Sequence, residues 1–481
     1  MAKYGEGVIS VYDMPHDEEF KHKTLSGRTV TVGGRTIPVA REVDVCVIGG
    51  GPGGTAAAVS AARTGAKTLL IERYGHLGGM ATGGLVNIIP NLADIEGRQW
   101  IGGFCQELIT RLKDRGAADY PPTDQWGRGD PDLVRKYERA GMTHFYIRKN
   151  AEGRKIVLYT AVIDPEVAKD ELNVMVEESG CDLLLHTLCT GPILEGNTVK
   201  GVVLETKSGP QAVLAKVVID STGDGDLLRG LDTPLDEYMR PGSRIAQFGW
   251  VYWLANVDLD AFDEATAKNP ELWPSLMKKI MEEGGRPFFS RGLLEHQKGV
   301  VWIHRLVGSM HQTEPEEMTY IDTTARHTAV RSWELLKKYV PGFENSFIML
   351  SAPQLGTSGG RRIIGEYYLS ENELDRTEPY EDTIAVFADN DRGDSSVTHT
   401  HTFIPYRSLI PAGIDGLLVA CRAFSSDYEF QEFFNLIPHC MCLGQAAGIA
   451  AALAVRLGTD LRQVPYEELK KELLRGGAIL P

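Results

Sequence analysis

The sequence predicts an α/β protein built on a doubly wound, Rossmann-like parallel sheet, with a β-meander and an inserted α+β domain. Three observations predict it: a strand near residue 45 that ends in a glycine loop and reopens as a helix, short β-rich runs before residue 220, and an Ala-rich helix near residue 450. At 481 residues the chain is long for one core, so two intertwined domains are expected.

The first element is the most explicit. Val43-Asp44-Val45-Cys46-Val47-Ile48 is β-branched and apolar and runs into Gly49-Gly50-Gly51-Pro52-Gly53-Gly54. An Ala-rich helix over Thr55 to Thr64 follows, Gly65 ends it, and Lys67 to Ile71 returns as a second strand with Glu72 at its end. This is G-x-G-x-x-G in its dinucleotide-binding setting: Gly49 for the tight turn, Gly51 so that backbone can approach a pyrophosphate, Gly54 for helix-on-strand packing. The helix N-terminus offers free N–H groups and the positive end of a dipole to phosphates. Glu72 is placed to accept from a ribose hydroxyl, which favours an unphosphorylated ribose.

Charge and cysteine usage restrict the partners. A net charge of −15 argues against a nucleic-acid or anionic-membrane surface. The seven cysteines include no C-x-x-C pair, which points to a reduced, cytoplasmic chain. The N-terminus lacks an apolar signal core, and the longest apolar run, near Ala446 to Val455, is far short of a membrane span. A small-molecule substrate is expected, with no nucleic acid, no membrane and a possible homo-oligomer.

Residues 1–41 read as an N-terminal extension with a small hairpin over Thr29 to Val39. Nucleotide-binding segments are expected at 42–110, 161–233 and 403–481, an insertion at 111–160 and a substrate domain at 234–402. Pro165 to Ser179 reads as a helix behind Asp164. Leu183 to Leu188, Thr198 to Glu205 and Ala212 to Ile219 read as the meander, ending in Asp220-Ser221-Thr222-Gly223-Asp224-Gly225-Asp226. A calcium loop competes for these aspartates, but the EF-hand spacing is absent, and no metal is expected. The aromatic run Phe248 to Trp253 reads as a core strand in preference to a substrate cage, and Glu314 to Tyr339 as a helix. Polar candidates in this part are His304, Arg305, Arg361, Arg362, His399 and His401; the two imidazoles of His399-Thr400-His401 share one side of a strand.

Several stretches carry a resemblance. Glu72-Arg73 followed by Gly75-His76-Leu77-Gly78-Gly79-Met80-Ala81-Thr82, the Ser221-Thr222-Gly223-Asp224 turn, Gly359-Gly360-Arg361-Arg362-Ile363-Ile364-Gly365-Glu366-Tyr367, Ile404-Pro405-Tyr406-Arg407-Ser408, and Leu443-Gly444-Gln445-Ala446-Ala447-Gly448 resemble FAD-dependent oxidoreductases of the glutathione-reductase-like fold. These are distant kin of fumarate reductase and succinate dehydrogenase flavoproteins. The resemblance implies FAD as cofactor. Its contacts would be Gly49, Gly51, Pro52, Gly53, Gly54, Glu72, Arg73, Gly78, Gly79, Met80, Thr82, Thr222, Gly223, Asp224, Arg422, Gly444, Gln445 and Ala446. The closing helix, opening at Cys442, would turn its positive end to the flavin. His76 has two readings, a covalent flavin attachment and an ordinary loop hydrogen bond. The implied activity is oxidation of a small organic substrate by hydride transfer to flavin N5, with His399, His401, Asn435, His439 and Arg361 as candidate catalytic residues. Ser358 and Asn435 stand where relatives often carry arginine, which weakens the case for a carboxylate substrate. An NAD-dependent Rossmann dehydrogenase and a non-catalytic binding protein on the same fold, as in Rab GDP-dissociation inhibitors, are the alternatives.

Overall fold

The computed structural model describes residues 36–140, 145–150, 152–229, 231–240, 243–307, 313–388 and 401–481. The hairpin expected over 29–39 and the candidate His399 therefore lie wholly or largely outside the described residues. Strand β1 (Val39–Ile48), helix α1 (Pro52–Arg63) and strand β2 (Thr68–Ile71) form the expected βαβ unit. Val45, Cys46 and Val47 are fully buried, as expected of a parallel strand covered on both faces. Each Val or Leu buried in this way contributes about 1.5–3 kcal/mol.

β1 lies at the centre of a seven-stranded sheet. It pairs in parallel with β2 on one side and with Gly209–Asp220 on the other, and Asp182–Leu184 extends the sheet beyond β2. The registers align Ile48 with Ile71 and Asp220, and Asp220 with Val419 of the parallel strand Leu417–Val419. Leu184 is level with Ile71 in the same way, so five chain segments leave the sheet at one carboxyl edge, the place where α/β sheets bind ligands. The meander is Leu188–Glu195, Thr198–Thr206 and Gly209–Asp220. The run expected as one strand over Leu183 to Leu188 is broken, because His186 takes a positive φ of 54° between a parallel strand and the first meander strand.

A second, antiparallel sheet is centred on the aromatic strand Phe248–Ala255, flanked by Val301–Val307 and by Phe347–Ser351 with Gly356–Thr357. The helix Pro315–Tyr339 covers one face, where Arg326 lies over the Trp250 ring at 5.1 Å. Strand alternation turns Gly249 and Val251 the other way, towards the first sheet. Pro165–Ser179 forms with Asp164 as its cap, the carboxylate accepting from Glu166 N at 2.9 Å and Val167 N at 3.3 Å. Thr383–Ala388 pairs with His401–Pro405, and its side chains join the same core as α1 and the closing helix.

The closing helix is Ile437–Leu457, so it opens well before Cys442. Pro438 sits in its first turn, and no side chain caps it. It is long and apolar enough to cross a membrane by length and composition, and 78% of its apolar window is buried inside the protein. Its apolar character follows from packing on all sides.

Candidate cofactor and substrate cleft

The carboxyl edge opens into a cleft of about 390 Å³. One end is built by the glycine loop. Gly49 has φ 91°, and a Cβ there would stand 2.6 Å from Ser221 O. A Cβ on Gly54 would meet Gly49 O at 1.7 Å, which seats α1 directly on the end of β1. A Cβ on Gly51 would meet no atom within 4 Å, and Gly51 lines the cleft. The space left bare there is a cradle at a helix N-terminus, where amides without intrahelical partners receive anions.

Glu72 is buried at 7% exposure, accepts from Gly50 N at 2.6 Å and Tyr74 N at 2.8 Å, and lines the cleft. It ties the end of β2 to the glycine loop while keeping acceptor capacity for a ligand. Arg73, Pro52, Gly53, Gly79, Met80, Thr222, Gly223, Asp224 and Arg422 are lining residues as well. Gly78 N donates to Gly50 O at 2.8 Å, so the second glycine loop lies across the first. Arg422 pairs with Asp224 at 2.7 Å and donates to Gly359 O at 3.0 Å, fastening two loops at the floor. Asp226, an exposed residue on the lining, has its carboxyl pushed up to about 6 by desolvation within the cleft, reinforced by the nearby Asp220 and Asp224 carboxylates.

Other expected contacts stand outside the lining, for reasons the geometry supplies. Gly54 packs as described. Gly78 has φ 95° and shapes its loop, and Thr82 is fully buried with its hydroxyl donating to Leu77 O. Gly444 lies two helical turns past the start of the closing helix, roughly 10 Å along it, and its Cβ would meet Gly53 O at 2.0 Å. Gln445 accepts from Phe104 N at 3.1 Å and donates to Gly476 O at 2.9 Å, and Ala446 is fully buried. These three pack helix to helix; Ile437 and Cys440, one turn apart at the helix start, are what face the cleft.

The candidate catalytic residues are mostly elsewhere. His401 is half-buried between Trp100, at 4.5 Å between ring centroids, and Phe403, at 5.1 Å, away from the cleft. His439 is fully buried and stacks on Phe387 at 4.2 Å, because two residues past Ile437 the helix has turned by more than half a revolution. Arg361 holds the Ser221 turn from behind, donating to Asp224 O at 3.1 Å and pairing with Glu237 at 2.9 Å. His76 stacks on Tyr74 at 5.6 Å outside the lining, and burial keeps its pKa low. Among the candidates within the described residues, Asn435 alone lines the cleft, and its side-chain amide donates to Ser358 O.

The far wall went largely unread in the sequence. Val251 and Gly249 from one strand, Trp302 and His304 from its neighbour, and Met318, Gln354 and Leu355 beyond them close the cleft opposite the glycine loops. Val251 is the direct pairing partner of His304, and a Cβ on Gly249 would come within 3.1 Å of His304 Nε2. The advance signals there were His304, among the polar candidates, and the aromatic run Phe248 to Trp253, read first as core. Asn87, Thr187 and Cys189 on the lining carried no signal at all.

A parallel sheet whose carboxyl edge holds this glycine cradle, with an acid at the end of the second strand, defines a dinucleotide-binding protein of the flavoprotein class. Over residues 44–473 the chain matches the model of the family described as FAD dependent oxidoreductase, and it belongs to that family. FAD is its cofactor, and the cradle at Gly51 fits the phosphates of a dinucleotide. Among curated proteins it is similar to the digeranylgeranylglycerophospholipid reductases of Methanoculleus marisnigri, 27% identical over 50% of this chain and 53% of that one, and of Methanocaldococcus jannaschii, 27% identical over 58% and 68%. The chain thus spans about half the length of the first of these relatives. Among solved structures it is similar to a geranylgeranyl bacteriochlorophyll reductase-like protein from Thermoplasma acidophilum, with a TM-score of 0.41 and 15% identity over 90% of this chain and 82% of that one.

Proposed function

We propose that this FAD-dependent oxidoreductase oxidises a small, largely apolar, uncharged organic molecule held between the flavin site and the second sheet. The observation that carries the reading is that one cleft runs without a break from Gly51 and Glu72 to Val251, Trp302 and His304. Bound FAD would supply a two-electron acceptor, taking a hydride from the substrate at N5. The chain's own residues do the rest. The amides at the start of α1 and the carboxylate of Glu72 hold the nucleotide. Val251, Trp302, Met318 and Leu355 exclude water from the reacting end. His304 Nε2 takes the substrate proton, since imidazole gives and accepts protons near neutrality. Asn435 donates its side-chain amide to the Ser358 backbone carbonyl, and neither of these uncharged side chains supplies the cation a carboxylate substrate would need. The substrate is a small molecule, with no part for nucleic acid or membrane. A cytoplasmic location is supported by seven cysteines that are all free, and a homo-oligomer is compatible with this reading.

A second reading runs the chemistry in reverse, as reduction of a double bond; it is favoured by the names of the curated relatives, which are reductases. Anaerobic mixing of the holoprotein with apolar alcohols, amines and ring compounds tests the first reading through bleaching of the flavin band. Re-oxidation of the reduced holoprotein by isoprenoid alkenes tests the second. A flavin that stays inert in both arms overturns the redox assignment.

A further inference from the structure

Asn87 is 1% exposed and lines the cleft, yet neither its Oδ1 nor its Nδ2 has a hydrogen-bond partner among the described residues. Buried polar atoms in folded proteins nearly always have partners, and a side-chain amide left wholly unpaired marks a place where something else supplies them. The residue is not loosely held: its backbone carbonyl accepts from Ile163 N at 2.9 Å, and Ile88–Ile89, which follows it, is paired with Ala161–Ile163. Its neighbours on the lining, Val86, Ile88, Pro90 and Phe145, have apolar side chains. Gln354, also on the lining, has a buried Oε1 without a partner among the described residues.

We infer that Asn87 is a recognition residue for a neutral amide-type edge, an N–H beside a C=O, presented by the molecule in the cleft. A primary amide offers an acceptor and a donor side by side in one plane, and a partner with the complementary pair satisfies both at once. A carboxylate satisfies Nδ2 and leaves Oδ1 bare, and neither cation on the lining, Arg73 or Arg422, is bonded to the Asn87 side chain. Gln354 Oε1 adds a second acceptor for a further N–H. The same edge chemistry has two sources, a lactam, imide or carboxamide on the substrate and the pyrimidine ring of the flavin, and the inference rests on the proposed occupancy of the cleft by both.

Asn87→Leu keeps the volume and removes the pair; Gln354→Met removes the second acceptor. Two titrations separate the sources. The first measures the affinity of each apoprotein for FAD by flavin fluorescence. The second measures calorimetrically the binding of 2-piperidone and of its carbocyclic counterpart, cyclohexanone, to each holoprotein. A substrate source predicts that the wild type prefers the lactam at least tenfold, that Asn87→Leu erases the preference, and that FAD affinity stays within twofold. A flavin source predicts that FAD affinity drops at least tenfold in Asn87→Leu with no lactam preference in either protein. Melting curves verify folding, with Gln354→Met as the second variant if Asn87→Leu fails to fold. Unchanged FAD affinity together with an unchanged or absent lactam preference overturns the inference. A wild-type protein that takes up no FAD overturns the functional reading instead, and the lactam is then titrated against the flavin-free protein, where the same tenfold preference decides for or against Asn87.

Discussion

Two glycines of one loop predict different failures. Gly54 has a carbonyl 1.7 Å from where its Cβ would stand, so Gly54→Val displaces α1 from β1 and lowers the melting temperature before any ligand is added. Gly51 faces open cleft at an ordinary φ of −69°, so Gly51→Val folds with near wild-type melting and loses FAD. A melting curve paired with flavin content distinguishes them; equal thermal loss in both would contradict the cradle. Asp226 gives a pH prediction. Its folded carboxyl titrates at about 6 while an unfolded aspartate titrates near 4. The fold therefore favours the neutral acid, and the stability it adds is complete below about pH 4 and lost as pH rises through 6. In the folded protein this charge develops around pH 6 and repels a pyrophosphate, so FAD affinity falls as pH rises through about 6, and Asp226→Asn flattens the profile. An identical pH profile in the variant would exclude Asp226.

At the scale of elements, what the sequence disclosed was local. The strand, glycine turn, helix and strand from Val43 to Glu72 touch one another through near neighbours, so spacing alone carries their geometry. The closing helix was read late because its first turn has no capping side chain and its apolar residues run on past Cys442. Gly444 was assigned to the flavin, whereas a Cβ on it would meet Gly53 O at 2.0 Å; a Cβ on Gly448, about one turn on, would meet Ala57 O at 2.1 Å. Sequence shows that small residues are required there without naming what comes close. Gly448→Leu is expected to destabilise by about 3 kcal/mol, the upper part of the range for overpacking, and denaturant melts of the apoprotein measure it. His401 was misplaced for a related reason: its strand packs beside Trp100, a contact decided by sheet placement that no spacing records.

Across the whole molecule, the cleft exists because two sheets face each other, and its far wall is invisible to any motif. His304 is positioned by pairing with Val251 and by the missing side chain at Gly249. His304→Gln is expected to slow substrate reduction of the flavin on the order of a hundredfold, the low end for a positioned acid–base group, while FAD stays bound. Gly249→Ala, which crowds Nε2, should slow it less. Stopped-flow rates at saturating substrate that match wild type in both variants would remove the imidazole from the reaction.

The seam where Gly444 rests on Gly53 and Gly448 on Ala57 also bears on biosynthesis. One half of the phosphate site is made long before its buttress, and Leu417–Val419, which completes the carboxyl edge, also follows much later in the chain. On the ribosome the glycine loop therefore waits for the closing helix with one flank bare. Contacts this distant in sequence form slowly, and the exposed apolar face is prone to aggregation meanwhile. A nascent chain stopped short of the closing helix has the whole phosphate motif and only part of a flavin site, so cofactor loading belongs after that helix is made.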